Sequence, residues 1–223
     1  MQKKPAPDFQ QMLFWLITEV MYGRAHFLIT RGLKRADPVV LDTAPRFFAM
    51  TLGAHADAAL MNAARLFDRS PGVSIHTLLS TALRVAGTFK CGTSAEVRRV
   101  VAEAKTSVAA LEPIVEALRT RRNETIAHLD PRTIVDPEGY VKAGRISFSE
   151  LEGLFAQTGS ILGKLSLLYR GTSVDLELKD AIDYEQALDL IADAKCDQAR
   201  RYEVEHETPA PFPRPRKCRE RSV

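Results

Sequence analysis

The sequence predicts an all-α protein: an antiparallel helical bundle, one additional C-terminal helix and a disordered tail. Three observations carry that expectation. Apolar residues recur at three- and four-residue spacing over five long segments. Gly, Pro and Asp stand where those segments stop and start. Strand signals are confined to short flanks around one turn within residues 131–147. Of the 223 residues, 45% are hydrophobic and 26% charged, proportions that exclude wholesale disorder and suffice for a sizeable core.

The first helix runs from about Asp8 to Leu33, with Phe9, Met12, Leu13, Leu16, Val20, Phe27 and Leu28 on its apolar side. Asp8 is a suitable N-cap, and the Ala36-Asp37-Pro38 turn follows the helix. Thr43 caps the second helix and Pro45 occupies its first turn; it runs to about Asp68. Ser74 opens a shorter third helix that ends before Gly87. Ser94 with Glu96 opens a fourth segment, about Ala95 to Leu129, which Pro113 must kink or break. Residues 131–147 read as a loop or short hairpin around Asp136-Pro137-Glu138-Gly139. Ser149 opens the fifth helix, stopped by Gly171, and a more polar helix follows from about Ala181 to Glu203. Residues 1–205 therefore form one helical domain.

From His206 to Val223 the composition changes. Pro209, Pro211, Pro213 and Pro215 alternate with other residues and forbid a helix; Arg214, Arg216, Lys217, Arg219 and Arg221 make the segment basic. It reads as a disordered arm that attracts RNA phosphates, or as a solubilising tail or partner peptide.

Several function classes are excluded. The net charge of +3 says little about partners. There is no Gly-rich phosphate loop, G-x-S-x-G, H-E-x-x-H or EF-hand loop. His26, His55, His76, His128 and His206 are too scattered for a local metal site, so neither a metal nor a cofactor is expected. Cys91, Cys196 and Cys218 are odd in number and far apart; they read as reduced thiols of a cytoplasmic protein. The N-terminus lacks the form of a signal peptide, and no run is long and apolar enough to span a membrane.

One stretch, Arg119 to Asp130, is chemically pointed. On a helical wheel Leu111, Val115, Leu118, Ile126 and Leu129 form a stripe, and Arg122 falls within about 40° of each. A guanidinium at such a position needs either a polar groove or a buried carboxylate partner. His128 lies near the angle of Arg121, so Arg121, Arg122 and His128 share one flank. That set suits RNA cleavage: a neutral histidine can take the 2′-hydroxyl proton, and a fixed guanidinium can stabilise the phosphorane.

The heptapeptide Arg122-Asn123-Glu124-Thr125-Ile126-Ala127-His128 resembles the Arg-(x)n-His motif of the HEPN superfamily, with five variable residues and Asn123 first among them. Ala127-His128-Leu129-Asp130 is similar to the form found in the abortive-infection AbiU-like branch. Ala64-Arg65-Leu66-Phe67-Asp68, Ser74-Ile75, Ile146 to Leu151 and Leu168 to Thr172 match that branch in order, so the resemblance covers residues 8–178. It implies a HEPN-type bundle and a homodimer whose two motifs meet in one cleft and cut RNA without metal. Carried over by position, Arg122 and His128 are the catalytic pair and Asn123 their polar helper; Arg121, on the same flank of the helix, is read as a substrate-binding cation. An acidic residue on an earlier helix orients the arginine in some members, and Asp57 and Asp68 are the candidates. Asp130 stands where members silenced by adenylylation carry a Tyr. The expectation is a defence or toxin effector acting on RNA, with an antitoxin or defence-system partner; the alternative is a non-catalytic helical module that binds RNA or a protein.

Overall fold

A computed structural model describes residues 8–70, 72–122, 145–174 and 183–220. Among these residues there are nine α-helices and no strand: α1 (Phe9–Arg35), α2 (Pro38–Leu41), α3 (Pro45–Leu66), α4 (Ile75–Arg84), α5 (Ser94–Ala110), α6 (Glu112–Arg121), α7 (Phe148–Arg170), α8 (Asp183–His206) and α9 (Arg216–Glu220). A 3-10 turn, Ala86–Thr88, follows α4. The all-α reading is thus what the chain adopts. The loop or hairpin expected at 131–147 lies outside the described residues except for its last three.

Most helix starts are locally encoded. Gln11 N–H donates to Asp8 Oδ1 at 2.8 Å, and Asp8 N–H to Gln11 Oε1 at 3.1 Å. Ser74 and Thr77 form the same reciprocal box at α4, Thr93 and Glu96 at α5, and Ser147 and Glu150 at α7. The caps of α5 and α7 are therefore Thr93 and Ser147, one and two residues before the serines expected. Reciprocity sets the choice, because the carboxylate must stand three residues after the cap. The donors of Thr93 and Ser147 hold the carboxyls of Glu96 and Glu150 below the usual range. The helix α2 was not expected: Asp37 caps it, accepting from Val39 N–H at 3.0 Å, and Pro38 fills its first turn.

Contacts divide the chain into two units, residues 1–25 with 57–177 and residues 26–56 with 178–223. In the first, α5 packs against α4 and α7, and α6 against α5 and α7. Val97, Val101, Ala104 and Val108 bury one face of α5; Leu154, Phe155, Leu162 and Leu165 bury one face of α7. Burying each large side chain contributes roughly 1.5–3 kcal/mol. Gly23 brings α1 close to α7, since a Cβ there would stand 2.5 Å from the ring of Phe155. Gly171, at φ +76°, ends α7 in the left-handed region as the sequence predicts. Cys91 and Lys90 N–H groups cover the last carbonyls of Leu168 and Tyr169.

In the second unit, His26 Nδ1 and His55 Nδ1 lie 2.7 Å apart. Burial first, and His55 second, push the pKa of His26 down. The basic segment after α8 departs from expectation. Its described part folds back on α8: Phe212 stands edge-on to Tyr202, Arg214 pairs with Glu203, and Lys217 reaches Asp193 at 3.1 Å and Asp189 at 3.4 Å. Cys218 is joined to Cys196 by a disulfide, with Cα atoms 5.7 Å apart. The reading of residues 206–223 as a disordered tail, and of these thiols as reduced, is corrected to that extent. Alternating prolines keep 209–215 out of a helix, but the extended stretch runs back along α8, and past Pro215 the short α9 brings Cys218 to Cys196. Among the described residues, no helix is long and apolar enough to cross a membrane.

Candidate active site around Arg122 and Asp68

Pro113 breaks the long fourth segment, but cleanly: α5 ends at Ala110 and α6 begins at Glu112 with the proline in its first turn, where no N–H is needed. Leu111, Val115 and Leu118 are buried as the stripe requires, at 5%, 4% and 1% exposure. Ile126 and Leu129 lie outside the described residues.

Arg122 follows α6 in right-handed helical geometry, φ −58° and ψ −51°. Its side chain is 24% exposed, and its Nη1 donates to Asp68 Oδ2 at 3.0 Å. Of the two outcomes open for a guanidinium on an apolar stripe, a carboxylate partner is the one realised. Asp68 is one of the two acidic candidates; the other, Asp57, is exposed on α3. A wheel drawn through residue 68 puts it opposite the apolar face of α3. The helix stops at Leu66, however, so Asp68 is free of that wheel.

The turn after α3 holds α6 at both ends. Arg69 Nη2 donates to both oxygens of Glu112 at 2.8 Å, at the start of the helix, while Asp68 accepts Arg122 at its finish. An acid at the first turn and arginines at the last also complement the helix dipole. Asp68 Oδ1 accepts from Ser70 N–H at 2.9 Å. That bond above all, then the Ser70 hydroxyl and Arg122, hold the Asp68 carboxyl below the usual carboxylate range, against the opposing effect of burial. The carboxylate therefore stays charged, and Arg122 stays anchored, well into mild acid.

Arg121 is half-buried one position earlier, and its Nε finds no hydrogen-bond partner among the described residues. Arg119 pairs with Glu116. Asn123 and His128, like Asp130, lie outside the described residues. The described part of the motif is thus its arginine, with a positioning carboxylate.

Two depressions flank this region. One, of about 290 Å³, is lined by His76, Arg69, Lys105, Ser80 and Glu112 among others. Burial, followed by Arg69 and Arg119, pushes the pKa of His76 down, so this ring is neutral near neutral pH. The other, about 300 Å³, has Trp15 and Asp68 in its lining. Sequence reasoning passed over both. Trp15 gives a signal, a large aromatic off the stripe of the first helix, and it is 56% exposed. Among the described residues no group of three His, Cys, Asp or Glu is placed to hold a metal ion.

No curated protein and no solved structure matches the chain. The sequence pattern of the HEPN family AbiU2 matches residues 24–190, three quarters of the length, and this span carries Asp68 and Arg122 together with the stripe of α6. An all-α chain whose motif arginine is held by a carboxylate from an earlier helix, matched over that span, belongs to the AbiU2 family of the HEPN superfamily.

Proposed function

We propose that the protein is an endoribonuclease of the HEPN type, cutting RNA by attack of a 2′-hydroxyl on the adjacent phosphorus, and that it serves abortive infection as a defence or toxin effector. The observation that carries this reading is the anchored guanidinium of Arg122. A cation fixed by Asp68 before substrate arrives loses little freedom when charge develops on the phosphorane. His128 takes the proton of the 2′-hydroxyl as the O2′–P bond forms. The P–O5′ bond then breaks, and the leaving oxygen takes up a proton, giving 2′,3′-cyclic phosphate and 5′-hydroxyl ends. Asn123 holds a non-bridging oxygen, and Arg121 neutralises a neighbouring phosphate. Two copies of the chain form the working enzyme, with an antitoxin or defence-system protein as a further partner.

None of these roles needs a metal. The test is cleavage of RNA by the purified protein in excess chelator, beside an Arg122→Ala/His128→Ala variant. Wild-type cleavage with cyclic phosphate ends, abolished by a 2′-deoxy substitution at the scissile nucleotide and absent from the variant, is expected. Activity lost in chelator and restored by Mg²⁺, or retained by the variant, refutes the reading.

A further inference from the structure

The first helix carries aromatic rings that its core does not use. Phe14, Trp15 and Tyr22 are 63%, 56% and 62% exposed, while Phe9, Leu13, Leu16 and Val20 fill the core. Trp15 and Tyr22 are seven residues apart and so share a side of α1, and Phe14 stands edge-on to Trp15 at 6.1 Å between centroids. Trp15, Glu19, Arg65, Asp68, Ser70 and Val73 line the groove of about 300 Å³ between α1 and the turn after α3. Glu19 and Arg65 are paired at 3.1 Å.

Three properties of this groove identify its ligand. A tryptophan more than half exposed offers ring surface on which any planar base can stack. The walls carry two carboxylates, a guanidinium and a hydroxyl; Glu19 and Arg65 are already paired through Arg65 Nη1, but a carboxylate accepts, and a guanidinium donates, several hydrogen bonds, so donors and acceptors on a base edge can add to that pair. Asp68, which accepts Arg122, is part of the lining, so whatever fills the groove adjoins the proposed site of cleavage. Its size is at the lower bound of small-ligand pockets, that of one flat group rather than a whole cofactor.

We propose that Trp15 and the Glu19–Arg65–Asp68 groove form a base-binding subsite for single-stranded RNA, seating one unpaired nucleobase next to Arg122. The proposal rests on the nuclease reading for its substrate and adds how the strand is held.

The test uses the full chain and a fluorescein-labelled oligouridylate whose riboses are 2′-O-methylated, so that no 2′-hydroxyl can attack. Trp15 is the only tryptophan, so intrinsic emission reports this groove alone. Emission should be quenched with the same midpoint as the rise in probe anisotropy. An abasic oligomer with the same phosphates should leave it unquenched. Trp15→Ala should weaken binding by roughly 5- to 150-fold, the range for one stacked base, and Trp15→Phe should restore most of it. Probe binding without quenching, or an affinity unchanged in Trp15→Ala, overturns the proposal. So does an emission that changes with protein concentration and not with RNA, which would assign the ring to contact with a second copy. Unmodified RNA assayed in parallel separates the two ideas. RNA that quenches Trp15 but stays uncut sinks the nuclease reading alone. RNA cut by Trp15→Ala at wild-type KM sinks the subsite alone.

Discussion

Arg122 Nη1 donates to Asp68 Oδ2 at 3.0 Å across 54 residues of chain, joining the end of α6 to the turn after α3. The bond turns a costly placement into a useful one, since a half-buried guanidinium gains both a counter-charge and a fixed direction.

If Asp68 positions Arg122, the two substitutions differ in kind. Arg122→Ala removes the cation and should lower kcat for RNA cleavage by about 10²–10³-fold. Asp68→Asn leaves the cation but loosens it, and should cost up to about 10²-fold, chiefly in kcat. Asp68→Glu should recover part of the loss. Steady-state kinetics with a short RNA settle the matter; equal and complete loss in Asp68→Asn and Arg122→Ala would make Asp68 more than a positioning residue.

A shared cleft makes a prediction about mixed chains. Arg122→Ala and His128→Ala are each expected to be inactive alone. Mixed under conditions that allow subunit exchange, they give a heterodimer in which one cleft holds one Arg122 and one His128, and part of the activity should return. Sedimentation of the wild type should show a dimer at micromolar concentration. A monomer that cuts at full rate, with no rescue on mixing, would place the whole site in one chain.

The disulfide changes what the basic segment can do. While Cys196–Cys218 is closed, Lys217 is held by Asp189 and Asp193, and Arg214 by Glu203. Those cations are not available to phosphates. Deleting 207–223 should therefore flatten the salt dependence of RNA binding less in the oxidised protein than in the reduced one. Reduction by a dithiol, itself oxidised to its disulfide, frees two thiols and the segment between them. Closing a loop across a separation of 22 residues stabilises by about 3 kcal/mol on chain-entropy grounds. Trypsin should then cut after Arg216 and Lys217, and the salt slope should steepen by about 0.7 per phosphate gained. Equal trypsin sensitivity in the oxidised and reduced forms would refute the coupling.

Two histidines, His26 and His76, predict a pH dependence of stability. The folded pKa of His26 lies below its ordinary 6.5, and that of His76 does too. Each binds fewer protons folded than unfolded, so stability rises with pH between the lowered values and 6.5 and is fully present above. Cooling of Tm as the pH drops from 7.5 to 5.5 is expected, with a shallower drop in His26→Gln. Asp68, Glu96 and Glu150, held low by their donors, act in a separate and more acid window, where stability is lost as they protonate. A Tm constant from pH 7.5 to 5.5 would count against the pair.

The helices were legible because their signals are local. The apolar repeat of α1, the box at Ser74, the proline opening α6 and Gly171 each act within a turn or two. Thr93 and Ser147 were misplaced by a residue or two because neighbouring serines offer the same hydroxyl, and only reciprocity with the carboxylate chooses between them. The site was half legible. The stripe of α6 requires a partner for Arg122 but does not name it. Choosing Asp68 over Asp57 depends on where α3 stops, which a wheel does not record. The Cys196–Cys218 bridge and the groove at Trp15 were not legible, because both join residues that only the folded chain brings together.

The four reciprocal caps, at Asp8, Ser74, Thr93 and Ser147, have a consequence for the order in which the molecule assembles. Each needs only a span of four residues to close, so its helix start can form in a chain that is otherwise open. The Arg122–Asp68 bond closes over 54 residues and carries the larger entropy of a long loop. Helices therefore come first and the anchored arginine late. By the same reasoning, a newly made or partly unfolded chain can hold its helix starts and still lack the anchored arginine, so that whatever chemistry Arg122 serves waits until the fold is nearly complete.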